Sequence, residues 1–173
     1  MQFLNELGHA VSFARDEVAV CFYRGGALIR WQTRGVVGHT AVYWPTMACW
    51  VEADVGQGND AARHPEDVGK RGVVRRVVER ADRVGYAIVR LPQYDAACRF
   101  SRETLGLPYD LRMIIRFITR QPEAEGTRSK YFCSEHTGEA LRRGGLVPLA
   151  HSEPWEESPE DLWRSPVLFP VAG

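Results

Sequence analysis

The stretch HTAVYWPTMACWVEA, His39 to Ala53, decides the fold class. His39 to Tyr43 is β-branched and aromatic, and Pro45 stops it. Ala48 to Ala53 has the same character and is ended by Gly56 and Gly58. Two such runs around a tight Pro45-Thr46 connection predict neighbouring antiparallel strands. Upstream, Glu17 to Tyr23 (EVAVCFY) alternates around Val18, Val20 and Phe22, and Arg24-Gly-Gly turns the chain. Ala27 to Trp31 is a short apolar segment of either type. Downstream, Val55 to Gly72 is loop-like, and further strands are predicted at Val73 to Val78 and Tyr86 to Leu91, with Pro92 closing the second. The texture then changes. Helical spacing runs from Tyr94 to Leu105 before the stop at Gly106, from Leu111 to Thr119 behind Asp110 as N-cap, and from Cys133 to Arg143 before Gly144-Gly145. Gln121 to Lys130 is a polar loop. Ser158, Pro159 and Asp161 spell the start of a short capped turn. Strands first and helices later predict an α+β domain rather than a βαβ repeat, with residues 1–173 as one domain.

Composition supports that size. A chain of 173 residues with 45% hydrophobic and 25% charged content is globular, and it buries about 70% of its unfolded surface without a disulfide or metal staple. Lys plus Arg and Asp plus Glu both number 22, so the net charge is 0 and a chain built to grip nucleic-acid phosphates is disfavoured. Charge is uneven locally: six basic residues fall between Lys70 and Arg83, and Glu153 to Asp161 is acidic. Both stretches read as solvated surface, the first as an edge strand blunted by arginine. No apolar run approaches the about 20 residues that span a bilayer, and the N-terminus lacks the pattern of a secretory signal. A cytoplasmic protein is the expectation. Cys21, Cys49, Cys98 and Cys133 stand far apart with no C-x-x-C pair, and the His and carboxylate spacings match no usual zinc helix, so neither metal nor cofactor is expected.

Four residues carry the chemical interest. Cys133 opens a predicted helix, where the positive end of the dipole and unpaired N–H groups favour a thiolate and offer half of an oxyanion hole. A buried cysteine acting as a small hydrophobe is the bland alternative. His39 opens a strand, and on its own reads as a partly buried histidine bonded to backbone. Glu52 interrupts an apolar strand. If the two strands are adjacent, Glu52 sits beside His39 and orients its imidazole; Asp54 faces the same side and is a live substitute. A solvent-facing carboxylate is the competing reading of Glu52. His136 lies one turn into the Cys133 helix, but a base should approach from another element. His9, His64 and His151 fall in loop or terminal segments. Gly56-Gln-Gly58 is no phosphate loop, since neither a Lys-Ser/Thr pair nor a helix follows.

Taken in order, these segments resemble the circularly permuted branch of the NlpC-type, papain-like cysteine hydrolases, the group of YiiX-like bacterial proteins. Ala27 to Arg34 followed by Gly38-His39-Thr-Ala-Val-Tyr resembles the family's histidine strand and its lead-in, and Trp50-Val-Glu52-Ala its polar-residue strand. Gly106-Leu-Pro-Tyr109-Asp110 resembles its Gly-x-Pro-Tyr-Asp segment, Tyr131-Phe-Cys133-Ser-Glu its nucleophile motif, and Ser158-Pro-Glu-Asp-Leu-Trp its C-terminal segment. The resemblance implies a papain-like fold, an antiparallel sheet packed against the helix that carries the cysteine. It also implies an amidase or peptidase in which Cys133 is nucleophile, His39 base and Glu52 orienter, with Tyr109 approaching the site to bind substrate or oxyanion. The implied substrate is a small peptide, an amide or a lipid-like molecule. A lipid acyltransferase or esterase of the same fold is one alternative, with Met113, Ile114, Ile115 and Phe117 lining a groove if they are not core. A non-catalytic binding or structural protein is the other.

Overall fold

A computed structural model describes residues 3–5, 7–25, 27–55, 62–112 and 129–172. Six strands form one antiparallel sheet: β1 (Glu17–Tyr23), β2 (His39–Trp44), β3 (Cys49–Asp54), β4 (Gly72–Arg76), β5 (Arg83–Arg90) and the two-residue β6 (Val171–Ala172), in the order β4-β3-β2-β1-β5-β6. Four α-helices accompany it: α1 (Ala27–Thr33), α2 (Tyr94–Glu103), α3 (Cys133–Arg143) and α4 (Pro159–Trp163). The architecture is α+β, with the strands preceding most of the helices. The undecided segment Ala27 to Trp31 is the helix α1. The helix expected over Leu111 to Thr119 lies, beyond Arg112, outside the described residues, as does nearly all of the polar loop after it. Among the described residues, no helix is long and apolar enough to cross a membrane.

The β2–β3 hairpin follows the reading of His39 to Ala53. Val42 faces Val51, Tyr43 faces Trp50 and Trp44 faces Cys49. Pro45 and Thr46 sit in the turn, which Met47 N–H to Trp44 C=O (3.0 Å) and Ala48 N–H to Pro45 C=O (3.2 Å) close.

The alternation in β1 does not divide core from solvent, because both faces of the central sheet are covered. Val18, Val20 and Phe22 join Val42, Trp44, Val51 and Ala53 against Ala97 and Phe100 of α2, Ala140 and Leu141 of α3 and Leu162 of α4. Ala19, Cys21 and Tyr23 join Ala41, Tyr43, Trp50 and Tyr86 on the other face, where Phe3, Val11 and Phe13 of the N-terminal segment close over them. Each strand residue therefore contributes to one of two apolar layers, which is why EVAVCFY carries no polar residue after Glu17.

The two charged stretches are not simply solvated surface. Within Lys70 to Arg83, Arg76 is buried and its Nη1 lies 3.3 Å from Glu52 Oε1. Arg75 Nε donates to Asp67 at 2.9 Å, which helps hold the Asp67 carboxyl down at about 2 against the opposing effect of burial. Within Glu153 to Asp161, Glu157 and Glu160 are buried. A charge run read from composition says nothing of partners elsewhere in the chain, and these four residues each found one. The edge position of β4 stands, although its outer side is engaged too: Val73 N–H donates to Leu107 C=O (2.9 Å) and Gly106 N–H to Val73 C=O (2.8 Å). Gly72 permits this approach, since its φ is +100° and a Cβ there would lie 1.9 Å from the Leu107 oxygen.

His136 settles into the core. Its Nε2 is 2.9 Å from Thr104 Oγ1, its ring stacks on Phe100 at 5.2 Å, and burial alone pushes its pKa down to about 3. A histidine that stays neutral in the folded chain but titrates near 6.5 when unfolded supports the fold fully above that pH and less as pH falls towards 3. The expected cost is about 2 kcal/mol of unfolding free energy at pH 5 relative to pH 8. Urea unfolding of His136→Phe at the two pH values checks this: the variant should lose about that much of the pH difference, and an unchanged difference would contradict the assignment.

Candidate functional site

Cys133, His39 and Glu52 come from three elements and meet. His39 heads β2, where it lies opposite Tyr23 of β1. Glu52 and Asp54 share its face of the sheet, because the hairpin register extended past Val42–Val51 brings residues 39, 52 and 54 to one side. His39 Nε2 donates to Glu52 Oε2 at 2.6 Å. Asp54 is committed elsewhere, its Oδ2 accepting from Arg63 Nη2 at 3.0 Å. The open choice between the two carboxylates thus falls to Glu52. That residue is only 1% exposed, which removes the solvent-facing reading. Arg76 meets its other oxygen: Trp50 faces Arg76 and Glu52 faces Val74 across β3–β4, so the arginine reaches Glu52 diagonally on the same face.

Cys133 is the first residue of α3. Phe132 at the N-cap is extended and, as a phenylalanine, offers no side-chain acceptor to the first turn. The His39 ring and the backbone of Thr40 and Ser134 lie where each favours the thiolate. With Nε2 held by Glu52, Nδ1 is the ring nitrogen left for the thiolate. Thr40 Oγ1 and Thr137 Oγ1, 3.1 Å apart, join β2 to α3 one turn beyond.

The charge states follow from these contacts. Burial opposes ionisation of Cys133, yet His39 and the two backbone donors bring the thiol below its ordinary value. Burial likewise opposes the imidazolium, but Cys133 first and Glu52 second push His39 up to about 10. Glu52 is held below the usual carboxylate range, with His39 and Arg76 outweighing its burial. These directions favour a thiolate–imidazolium pair, with a carboxylate and an arginine behind it. The other cysteines differ sharply: burial raises Cys21 to about 12 and Cys49 to about 11.

Tyr109 also belongs here. Tyr131 N–H donates to Pro108 C=O (3.1 Å) and Asp110 N–H to Tyr131 C=O (3.0 Å), so the Gly106–Asp110 segment runs beside the lead-in to Cys133. Burial, with Cys133 next, raises the Tyr109 phenol far above its ordinary value, which places the side chain beside the thiol. Cys133 itself is 0% exposed.

His136 points away from this cluster. His64 caps a 3-10 turn at Pro65–Asp67, and His9 and His151 are exposed. The residues sequence reasoning missed are Arg76 and Arg63. Both sit in basic or loop-like stretches, and only strand pairing shows that they face the site; the valine alternation around Arg75 and Arg76 was the one available signal. Among the described residues, no group of three His, Cys, Asp or Glu side chains is arranged to hold a metal ion. Against protein-family models and against curated proteins, the chain matches none.

Proposed function

We propose that the protein is a cysteine hydrolase, an amidase or peptidase, with a papain-like fold of the permuted NlpC type and a Cys133–His39–Glu52 triad. The observation that carries this reading is the His39–Glu52 bond of 2.6 Å on a ring that also feels Cys133. The thiolate attacks the carbonyl carbon of an amide or ester, and the carbonyl π electrons move to oxygen. The backbone N–H of Cys133 at the head of α3 and the nearby Tyr109 hydroxyl are the donors for that oxyanion. The His39 imidazolium gives its proton to the leaving nitrogen or oxygen as the bond to carbon breaks, leaving an acyl thioester. Water then attacks the thioester, neutral His39 takes its proton, and release of the carboxylic acid restores the pair. Glu52 keeps the ring oriented and its charged form stable throughout. Arg76 keeps Glu52 ionised.

The test is the pH dependence of iodoacetamide labelling, resolved by mass spectrometry for each cysteine. All four cysteines are buried, so exposure does not decide the outcome; thiolate content does. At pH 6 Cys133 should label about 100-fold faster than Cys21 or Cys49. Its rate should fall only as pH drops through its lowered pKa. Labelling of Cys133 no faster than the other three would overturn the mechanism and leave a binding protein as the better reading.

A further inference from the structure

One short segment is bonded both to the neighbour of Cys133 and to the chain that leads into His39. Ser134, next to Cys133, is buried, and its Oγ donates to the Glu157 carbonyl at 2.6 Å. Three residues on, Glu160 Oε2 accepts from the backbone N–H of Val36 at 2.9 Å and of Val37 at 3.0 Å. These are the residues that lead into His39. Successive N–H groups closing on a carboxylate form a nest, and this one needs a glycine, because a Cβ on Gly35 would lie 2.1 Å from Glu160 Oε2. The second oxygen of Glu160 accepts from Arg164 Nε at 2.8 Å.

The segment between the two contacts is itself held firmly. The Glu157 carboxylate accepts from Arg142 Nη1 at 3.0 Å, from Arg142 Nη2, and from Ser152 Oγ at 2.8 Å. Ser158 donates from N and from Oγ to Asp161 Oδ2, at 2.9 and 2.6 Å, and its Oγ accepts from Asp161 N–H at 3.2 Å. That reciprocal cap fixes the start of α4 and with it the direction of Glu160.

We propose that Glu157 to Glu160 is a splint that sets the separation of Cys133 from His39, with Glu160 the positioning residue for His39 and the Ser134–Glu157 bond the tether of the nucleophile. The proposal rests on the hydrolase reading above. Its physical basis is that Coulomb attraction and proton transfer both depend steeply on distance. Cys133 and His39 are 94 positions apart in chain order, on a helix and on a strand that could otherwise slide against each other. A brace anchored at 134 and at 36–37 removes that freedom.

The experiment is the same per-cysteine iodoacetamide titration on three variants of the full chain, with the unfolding temperature of each recorded. In Glu160→Ala both acceptor oxygens are lost, and in Ser134→Ala the tether is cut while the backbone donor stays. Each should move the labelling midpoint of Cys133 upward by about one pH unit, about a tenfold slower reaction at pH 6. Glu160→Gln keeps an acceptor oxygen in place and should restore most of the wild-type rate. A purely structural role would lower the unfolding temperature and leave the midpoint where it was, so unmoved midpoints in Glu160→Ala and Ser134→Ala overturn the splint. If Glu160→Ala does not fold, Ser134→Ala decides alone. A wild-type chain whose Cys133 shows no acid-shifted midpoint sinks the hydrolase reading and the splint together. An acid-shifted wild type with unmoved variants sinks only the splint.

Discussion

Cys133→Ala is expected to lower turnover of peptide p-nitroanilides and acyl p-nitrophenyl esters by about 10⁴-fold or more, with the fold retained. The side chain removed is small, and its neighbours keep their mutual bond at 2.6 Å, so circular dichroism and unfolding temperature should change little. His39→Ala should show the same loss of turnover but a different thiol signature. Without the imidazolium, burial is the dominant influence on Cys133, so its pKa rises. Labelling at pH 6 then falls steeply and recovers only in alkaline solution, whereas the wild type labels at all pH values above its acid limb. The alkaline limb of turnover belongs to loss of the proton from His39, pushed up to about 10, and the acid limb to protonation of Cys133 below its ordinary value. Because the two groups titrate as a pair, both limbs are properties of the pair. Turnover retained in Cys133→Ala would end the hydrolase reading outright.

Glu52→Ala is expected to be the most destabilising single change in the site. The carboxylate is 1% exposed and lies between His39 and Arg76. Truncating it leaves the Arg76 guanidinium without its buried carboxylate and the imidazolium with Cys133 as its remaining counter-charge. Breaking a buried pair from one side costs about 3–5 kcal/mol, enough to put a chain of ordinary stability near its threshold. Glu52→Gln keeps the shape and an acceptor for His39 Nε2, so its stability loss should be smaller. Its signature is instead electrostatic. Glu52 is one of the charges that raise His39, so the alkaline limb of turnover should move to lower pH. Urea unfolding of both variants beside their pH profiles checks the pair of expectations. A Glu52→Ala chain as stable as wild type would show that the carboxylate does not balance the two cations.

The sequence made the skeleton of this arrangement readable because its signals are local. The run from His39 to Ala53 announces a hairpin through β-branched residues and a proline, and a hairpin dictates which side chains share a face. Cys133 to Arg143 announces a helix through its apolar spacing and its double-glycine stop, and α3 has those bounds. Ser158, Pro159 and Asp161 announce a cap, and the cap is present. What was not readable depends on pairing between distant segments. Nothing local distinguishes Glu52 from Asp54 until Arg63 claims the latter. Nothing local separates Arg76, which is buried against Glu52, from its neighbour Arg75, which is tied to Asp67. Glu157 and Glu160 look like solvated acids because their partners, Arg142 and the backbone of 36–37, lie in other parts of the chain. Composition locates charge, and only topology locates its complement.

The order of the chain bears on its biosynthesis. His39 and Glu52 leave the ribosome early and can pair within their hairpin, while Cys133 follows some 80 residues after Glu52 and the brace at Glu157 to Glu160 later still. On the hydrolase and splint readings, a nascent chain that has exposed its thiol has no braced imidazolium beside it until Glu157 to Glu160 has docked. On the same two readings, a chain cut between Cys133 and Glu157 carries a cysteine without that acid-shifted reactivity.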